Sequence, residues 1–163
     1  MFVVERKFVI CVRRSSALPQ AYWLWAEKVK NKMASSVQIV WEDQLQAWPQ
    51  KASVWVLGKN NIWIQQLQPT WQEYGIQLTE DRLQLPAKQL DLHKESAALV
   101  VRQVYNKNHY IGWLSAPDKK ILLRMADKLP HYGKYGAVTF SGEQNNYKKQ
   151  WPVVNSPMHR TLK

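Results

Sequence analysis

Residues 111–142 constrain the fold more than any other part of the chain. Ile111-Gly-Trp-Leu-Ser115 is a short apolar run of strand type. Ala116-Pro-Asp-Lys119 then supplies the proline and the carboxylate that are favoured where a helix starts. Residues 121–129 have the spacing of an amphipathic helix, and Ala137-Val-Thr-Phe140 is a second apolar strand. A strand–helix–strand unit of this kind predicts a layered α/β domain, in which the helix covers a sheet containing both strands.

The N-terminal half extends the pattern. Lys7-Phe-Val-Ile-Cys-Val12 is continuous and apolar, as expected of a strand buried on both faces. Ser15 or Ser16 is placed to cap a helix with an apolar stripe of Ala21, Trp25, Val29 and Met33, while Lys28, Lys30 and Lys32 face mostly outward. Residues 37–41 and 53–57 read as further strands, separated by a loop or short helical turn. A helix is predicted after Asn60 or Asn61, to be kinked or ended by Pro69. Strands alternating with helices predict parallel pairing.

Over residues 74–94 the pattern changes to short alternating stretches, read as edge strands or an extended excursion. Residues 97–105 and 109–114, joined by Asn106-Lys-Asn108, predict a hairpin that brings an antiparallel strand into the sheet. The expected fold is therefore α/β: a three-layer sandwich with a mostly parallel central sheet of about five or six strands plus an antiparallel hairpin. Residues 1–163 are read as one domain, a fragment of a longer chain, with 143–163 as a tail packing on it or fraying from it.

Composition limits what such a domain can do. The formal charge is +11, from 23 basic and 12 acidic residues, which favours an anionic partner. The lysines are nevertheless scattered, without a long basic run, which is the pattern of a generally cationic, solvated surface. A single cysteine, Cys11, excludes an internal disulfide, and its apolar surroundings predict a buried, inert thiol. No stretch approaches the roughly 18 apolar residues that span a bilayer. The first residues lack the order of a signal peptide, in which basic residues precede an apolar core. Nine tryptophans fall in many different segments, which predicts core and interface roles.

Motifs for chemistry are sparse. His93, His109, His131 and His159 have no partners at metal-ligand spacing and H-E-x-x-H is absent, so neither a metal nor another cofactor is expected. The G-x-S-x-G elbow is also missing. Ser141 or Ser115 can be drawn into a triad with His131 and Asp118, but the spacing selects neither, and serines at strand ends usually cap helices or turns. No catalytic residue is assigned. Gly58-Lys-Asn-Asn61 and Ser115-Ala-Pro-Asp118 each join a strand to a helix start, where free amides hold anions. Neither is glycine-rich, and Asp118 opposes a phosphate that Lys59 would attract. Gly58, Lys59, Asn60, Ser115, Asp118 and Ser141 thus define a candidate crevice beyond the strand ends, suited to a small ligand or a hydrolase site.

Pro130-His-Tyr-Gly-Lys-Tyr-Gly136 reads as a helix C-terminus, with Lys128, His131 and Lys134 at the negative end of the helix dipole. Tyrosines among basic residues are also favoured at interaction hot spots. Lys128, His131, Tyr132, Lys134 and Tyr135 therefore form a candidate interaction lip, and the two readings are compatible.

Lys128-Leu-Pro-His-Tyr-Gly-Lys-Tyr-Gly-Ala-Val-Thr-Phe-Ser-Gly142, followed by Trp151-Pro-Val153, resembles the C-terminal portion of certain large bacterial zinc aminopeptidases of the gluzincin class. Ser53-Val-Trp-Val-Leu-Gly58, with Asn60 or Asn61 after it, resembles an upstream segment of the same region. In such proteins the zinc site lies in a separate domain carrying H-E-x-x-H. This sequence has no counterpart of that motif, so the resemblance carries over no catalytic residue. It implies a non-catalytic accessory domain contacting the peptidase domain of its parent, or another protein partner, in an extracytoplasmic setting. The residues themselves leave two further readings open: a nucleic-acid or polyanion binder driven by charge, and the small-ligand or hydrolase site at the crevice.

Overall fold

The run expected to be buried on both faces becomes the pivot of a seven-stranded sheet. A computed structural model describes residues 7–14, 18–32, 36–103 and 108–151. The Ser15 or Ser16 cap, the Asn106-Lys107 part of the predicted turn, His159 and the Pro152-Val153 part of the resemblance lie outside the described residues. Strand β1 (Lys7–Val12) pairs in parallel with β2 (Ser36–Trp41) on one side and β3 (Ser53–Leu57) on the other. Ile10, Cys11 and Val12 are wholly shielded from solvent. The strand–helix–strand unit forms as expected, as β8 (Tyr110–Ser115), α3 (Lys119–Lys128) and β9 (Ala137–Ser141).

Two further strands complete the large sheet: β7 (Glu95–Arg102) and β10 (Gln144–Lys149). The order across it is β10-β9-β7-β8-β3-β1-β2. Three pairings are parallel (β1–β2, β1–β3, β3–β8) and three are antiparallel (β7–β8, β7–β9, β9–β10). The sheet is thus evenly mixed rather than mostly parallel. Two of the antiparallel pairings come from β7, which the short connection into β8 sends in the opposite direction, and the third from the tight return of β9 into β10. The seventh strand comes from the region read as a tail. β10 is polar because it lies at the sheet edge, where only one side of the strand is paired.

Residues 74–94 do not border the large sheet. They form a separate antiparallel meander of β4 (Gln77–Thr79), β5 (Arg82–Leu85) and β6 (Lys88–Asp91). Its turns pass through Glu80 and Ala87, both with positive φ. The helix expected after Asn61 is two pieces, a 3-10 turn over Ile62–Gln66 and α2 (Gln68–Glu73). Pro69 sits in the first turn of α2 and so starts a helix instead of ending one, because a first-turn residue needs no amide donor.

Each face of the large sheet carries its own core. Under α1 (Pro19–Lys32) and α3, Ile10, Trp25, Leu114, Leu122, Met125 and Phe140 pack together. On the other side, Val54, Leu67, Trp71, Leu85, Leu99 and Trp113 pack between the sheet, α2 and the meander. Each such aliphatic or aromatic side chain contributes roughly 1.5–3 kcal/mol when fully buried. Among the described residues, no helix is long and apolar enough to cross a membrane.

Candidate functional site

β1, β2, β3 and β8 run in parallel, so their C-terminal ends share one end of the sheet. The chain leaves β1 for β2 on one side and returns to β3 on the other. The gap between the ends of β1 and β3 is therefore a topological switch point, the place where open α/β sheets bind ligands. Here two buried side chains fill it. Asn61 donates to the carbonyls of Cys11 (3.2 Å) and Leu57 (3.1 Å) and accepts from the Trp63 amide (2.9 Å). Glu42 accepts from the amide of Arg14 through one carboxylate oxygen (3.1 Å) and from that of Ile62 through the other (2.8 Å). Its own amide donates to Val12, and its carbonyl accepts from the Trp63 indole. Amides that would hold an external anion hold the chain's own carboxylate.

The crevice predicted from sequence assembles only in part. Gly58 has φ +104°, a value that favours glycine, and makes the turn out of β3. Its amide donates to Leu114 (2.8 Å) and its carbonyl accepts from the Trp113 indole (3.2 Å). Lys59 bonds to one carboxylate oxygen of Asp81, whose other oxygen accepts from His93 Nε2 at 2.8 Å. The Lys59 hydrogen bond holds the Asp81 carboxyl below its ordinary pKa, with the charges of Lys59 and His93 adding to the effect. The lysine expected to attract phosphate is thus engaged with the meander.

Asn60 is exposed in the turn. Ser115 is buried and bonded to the Tyr22 phenol, which also accepts from the Ala116 amide at 3.1 Å. Burial raises the pKa of Tyr22. Asp118 caps α3 through the Ile121 amide at 2.9 Å. Ser141 ends β9, three strand spacings from β3, or about 14 Å. Gly58, Lys59, Asn60 and Ser115 therefore share the ends of adjacent strands, and Ser141 stands apart.

The residues of the lip, by contrast, lie together. The 3-10 turn Leu129–Tyr132 extends α3 and carries Tyr132 edge-on against Phe140, with ring centroids 5.7 Å apart. Tyr135 lies 6.3 Å from Tyr132. The ammonium groups of Lys134 and Lys148 each stand 5.3 Å from the Tyr135 centroid. That of Lys128 is 5.7 Å from the Phe140 ring and also donates to the Glu143 carbonyl. His131 is exposed beside them. Among the described residues, neither Lys134 nor Lys148 has a carboxylate within ion-pair distance, while the nearby Glu143 is paired with Arg124 at 3.1 Å.

Sequence reasoning missed Lys148 and Phe140 because their strands had not been paired. In Gln-Asn-Asn-Tyr-Lys-Lys149 only Tyr147 is a strong strand former, too weak a signal to have revealed β10. A second aromatic group, also unforeseen, lies at the β2 edge. There Arg14 covers Trp41 (4.8 Å), and Trp41 stacks on Trp23 (4.5 Å), beside an open depression lined by Trp23, Glu27, Lys30, Asn31 and Ile39.

Cys11 is buried and its pKa is pushed up to about 12, chiefly by desolvation. Among the described residues, no group of three or more His, Cys, Asp or Glu side chains is placed to hold a metal ion. No family model and no curated protein matches the chain.

Proposed function

We propose that this chain is a non-catalytic interaction domain that docks onto a partner protein through the lip around Tyr135. One observation carries the reading. The half-buried rings of Tyr132 and Tyr135 lie together on buried Phe140, with the ammonium groups of Lys134 and Lys148 at the Tyr135 ring and that of Lys128 at the Phe140 ring. Tyrosine is among the residues enriched at interaction hot spots. The switch-point side chains, in contrast, are consumed in internal hydrogen bonds, which favours a scaffold over a ligand site there. The cores on the two sheet faces support reading the domain as three layers, with the lip at the end of the α3 layer.

The resemblance to the C-terminal region of zinc aminopeptidases supplies the partner class, a peptidase domain. Titration of the chain with a purified catalytic domain of that class, followed by calorimetry, tests the reading. Saturable binding that weakens at least tenfold with Tyr135→Ala supports it. Absence of binding, or binding indifferent to Tyr135→Ala, overturns it. A second reading, polyanion binding, is favoured by the +11 charge and predicts affinity that falls steeply with salt.

A further inference from the structure

On the docking reading above, we propose that the lip recognises an acidic protein segment, whose carboxylates are held by Lys134 and Lys148. Both ammonium groups face the same ring, so the two positive charges lie within about one Debye length of each other. Neither is neutralised by a carboxylate among the described residues. A cation over an exposed tyrosine gains only about 0.5–1 kcal/mol from the ring, much less than a charge-assisted bond to an anion can supply. Each lysine can therefore take a carboxylate of a partner, which supplies a charge-assisted bond that the ring does not.

Two features favour acidic protein over nucleic acid. The lysines approach the Tyr135 ring themselves, so that ring is a poor platform for base stacking. The cations also gather at one corner, formed by the end of α3, the turn after it and β10, instead of tracing a stripe along which a phosphate backbone can run.

The test uses the full chain and two fluorescein-labelled probes, hexaglutamate and hexathymidylate, in fluorescence polarisation at low and physiological salt. Hexaglutamate is expected to bind, to weaken as salt rises, and to lose at least tenfold in affinity with the double variant Lys134→Ala/Lys148→Ala. The control Lys119→Ala/Lys120→Ala, at the opposite end of α3, should stay within twofold of the parent. The proposal is overturned by tighter binding of hexathymidylate, by no hexaglutamate binding, or by equal losses in the two double variants. If peptidase-domain binding falls with Tyr135→Ala but not with the lysine double variant, the docking reading stands and the acidic partner is wrong.

Discussion

Gly112 lies directly beside Trp55 in the β3–β8 register, so close that a Cβ on the glycine would fall 2.2 Å from the indole. Trp55 in turn tilts against Trp25 of α1, with ring centroids 5.5 Å apart. The missing side chain at position 112 is what lets one indole lie across a neighbouring strand and meet the helix above it. Gly112→Ala should destabilise the fold by about 1–3 kcal/mol, since the ring must leave its site. Urea denaturation followed by tryptophan fluorescence measures this, and an unchanged midpoint would show that the ring yields freely.

Glu42 joins the ends of β1, β2 and β3 from a position only 4% exposed. Glu42→Ala leaves the amides of Arg14 and Ile62 without their acceptor, a loss of about 1–3 kcal/mol for each amide that water does not reach. Glu42→Gln keeps one acceptor oxygen and should fall between the parent and the alanine variant. Chemical denaturation of the three proteins checks that ranking; a glutamine variant as unstable as alanine would contradict it.

These two cases mark what was legible in the sequence. The strands and helices of the α/β framework were readable because burial on one or both faces writes an apolar period into each element, as in Lys7–Val12 and the 111–142 unit. Pairing direction was legible for the parallel strands β1, β2 and β3 and for the antiparallel β7–β8 hairpin, but not at the other edge of β7, where no residue of β7 fixes that β9 joins it. The meander was seen only as short alternating stretches, since each strand has a single buried face. Asp118 was read as part of a helix start and proves to be its cap. Glu42 gave no signal: a carboxylate in a polar loop looks solvated until three strand ends close around it. Lys134 was legible as part of the lip, but its convergence with Lys148 required knowing that β10 returns beside β9.

The Lys59–Asp81–His93 cluster predicts a specific acid response. Because the folded-state pKa of Asp81 lies below 3.8, its contribution to stability is present above that value and is lost as pH falls through the folded pKa. Asp81→Asn should be slightly less stable than the parent at pH 7, with the difference closing as the pH is lowered beyond 3.8. Thermal melts at several pH values test this, and a gap that widens in acid would reverse the sign argued here. The effect is small because both Lys59 and Asp81 are partly open to water.

Cys11 should resist alkylation in the native state. Its thiol is wholly buried and its pKa is near 12, so the reactive thiolate is scarce even where reagent arrives. Labelling with a thiol-reactive dye should follow global unfolding and accelerate in step with added urea. Rapid stoichiometric labelling in native buffer would instead reveal a local opening at the end of β1.

The pairing of β3 with β8 also orders events during synthesis. When residues 53–57 leave the ribosome, the strand that will cover their outer edge, residues 110–115, has not yet been made. At ordinary elongation rates the wait is on the order of several seconds, long compared with the microseconds in which a hairpin closes. The β1–β3 unit therefore spends that interval with an apolar edge exposed, and β7 must be made and held before either of its final neighbours exists. A nascent chain of this topology is most vulnerable in mid-translation, and a chaperone that shields strand edges should raise its yield more than one that acts after release.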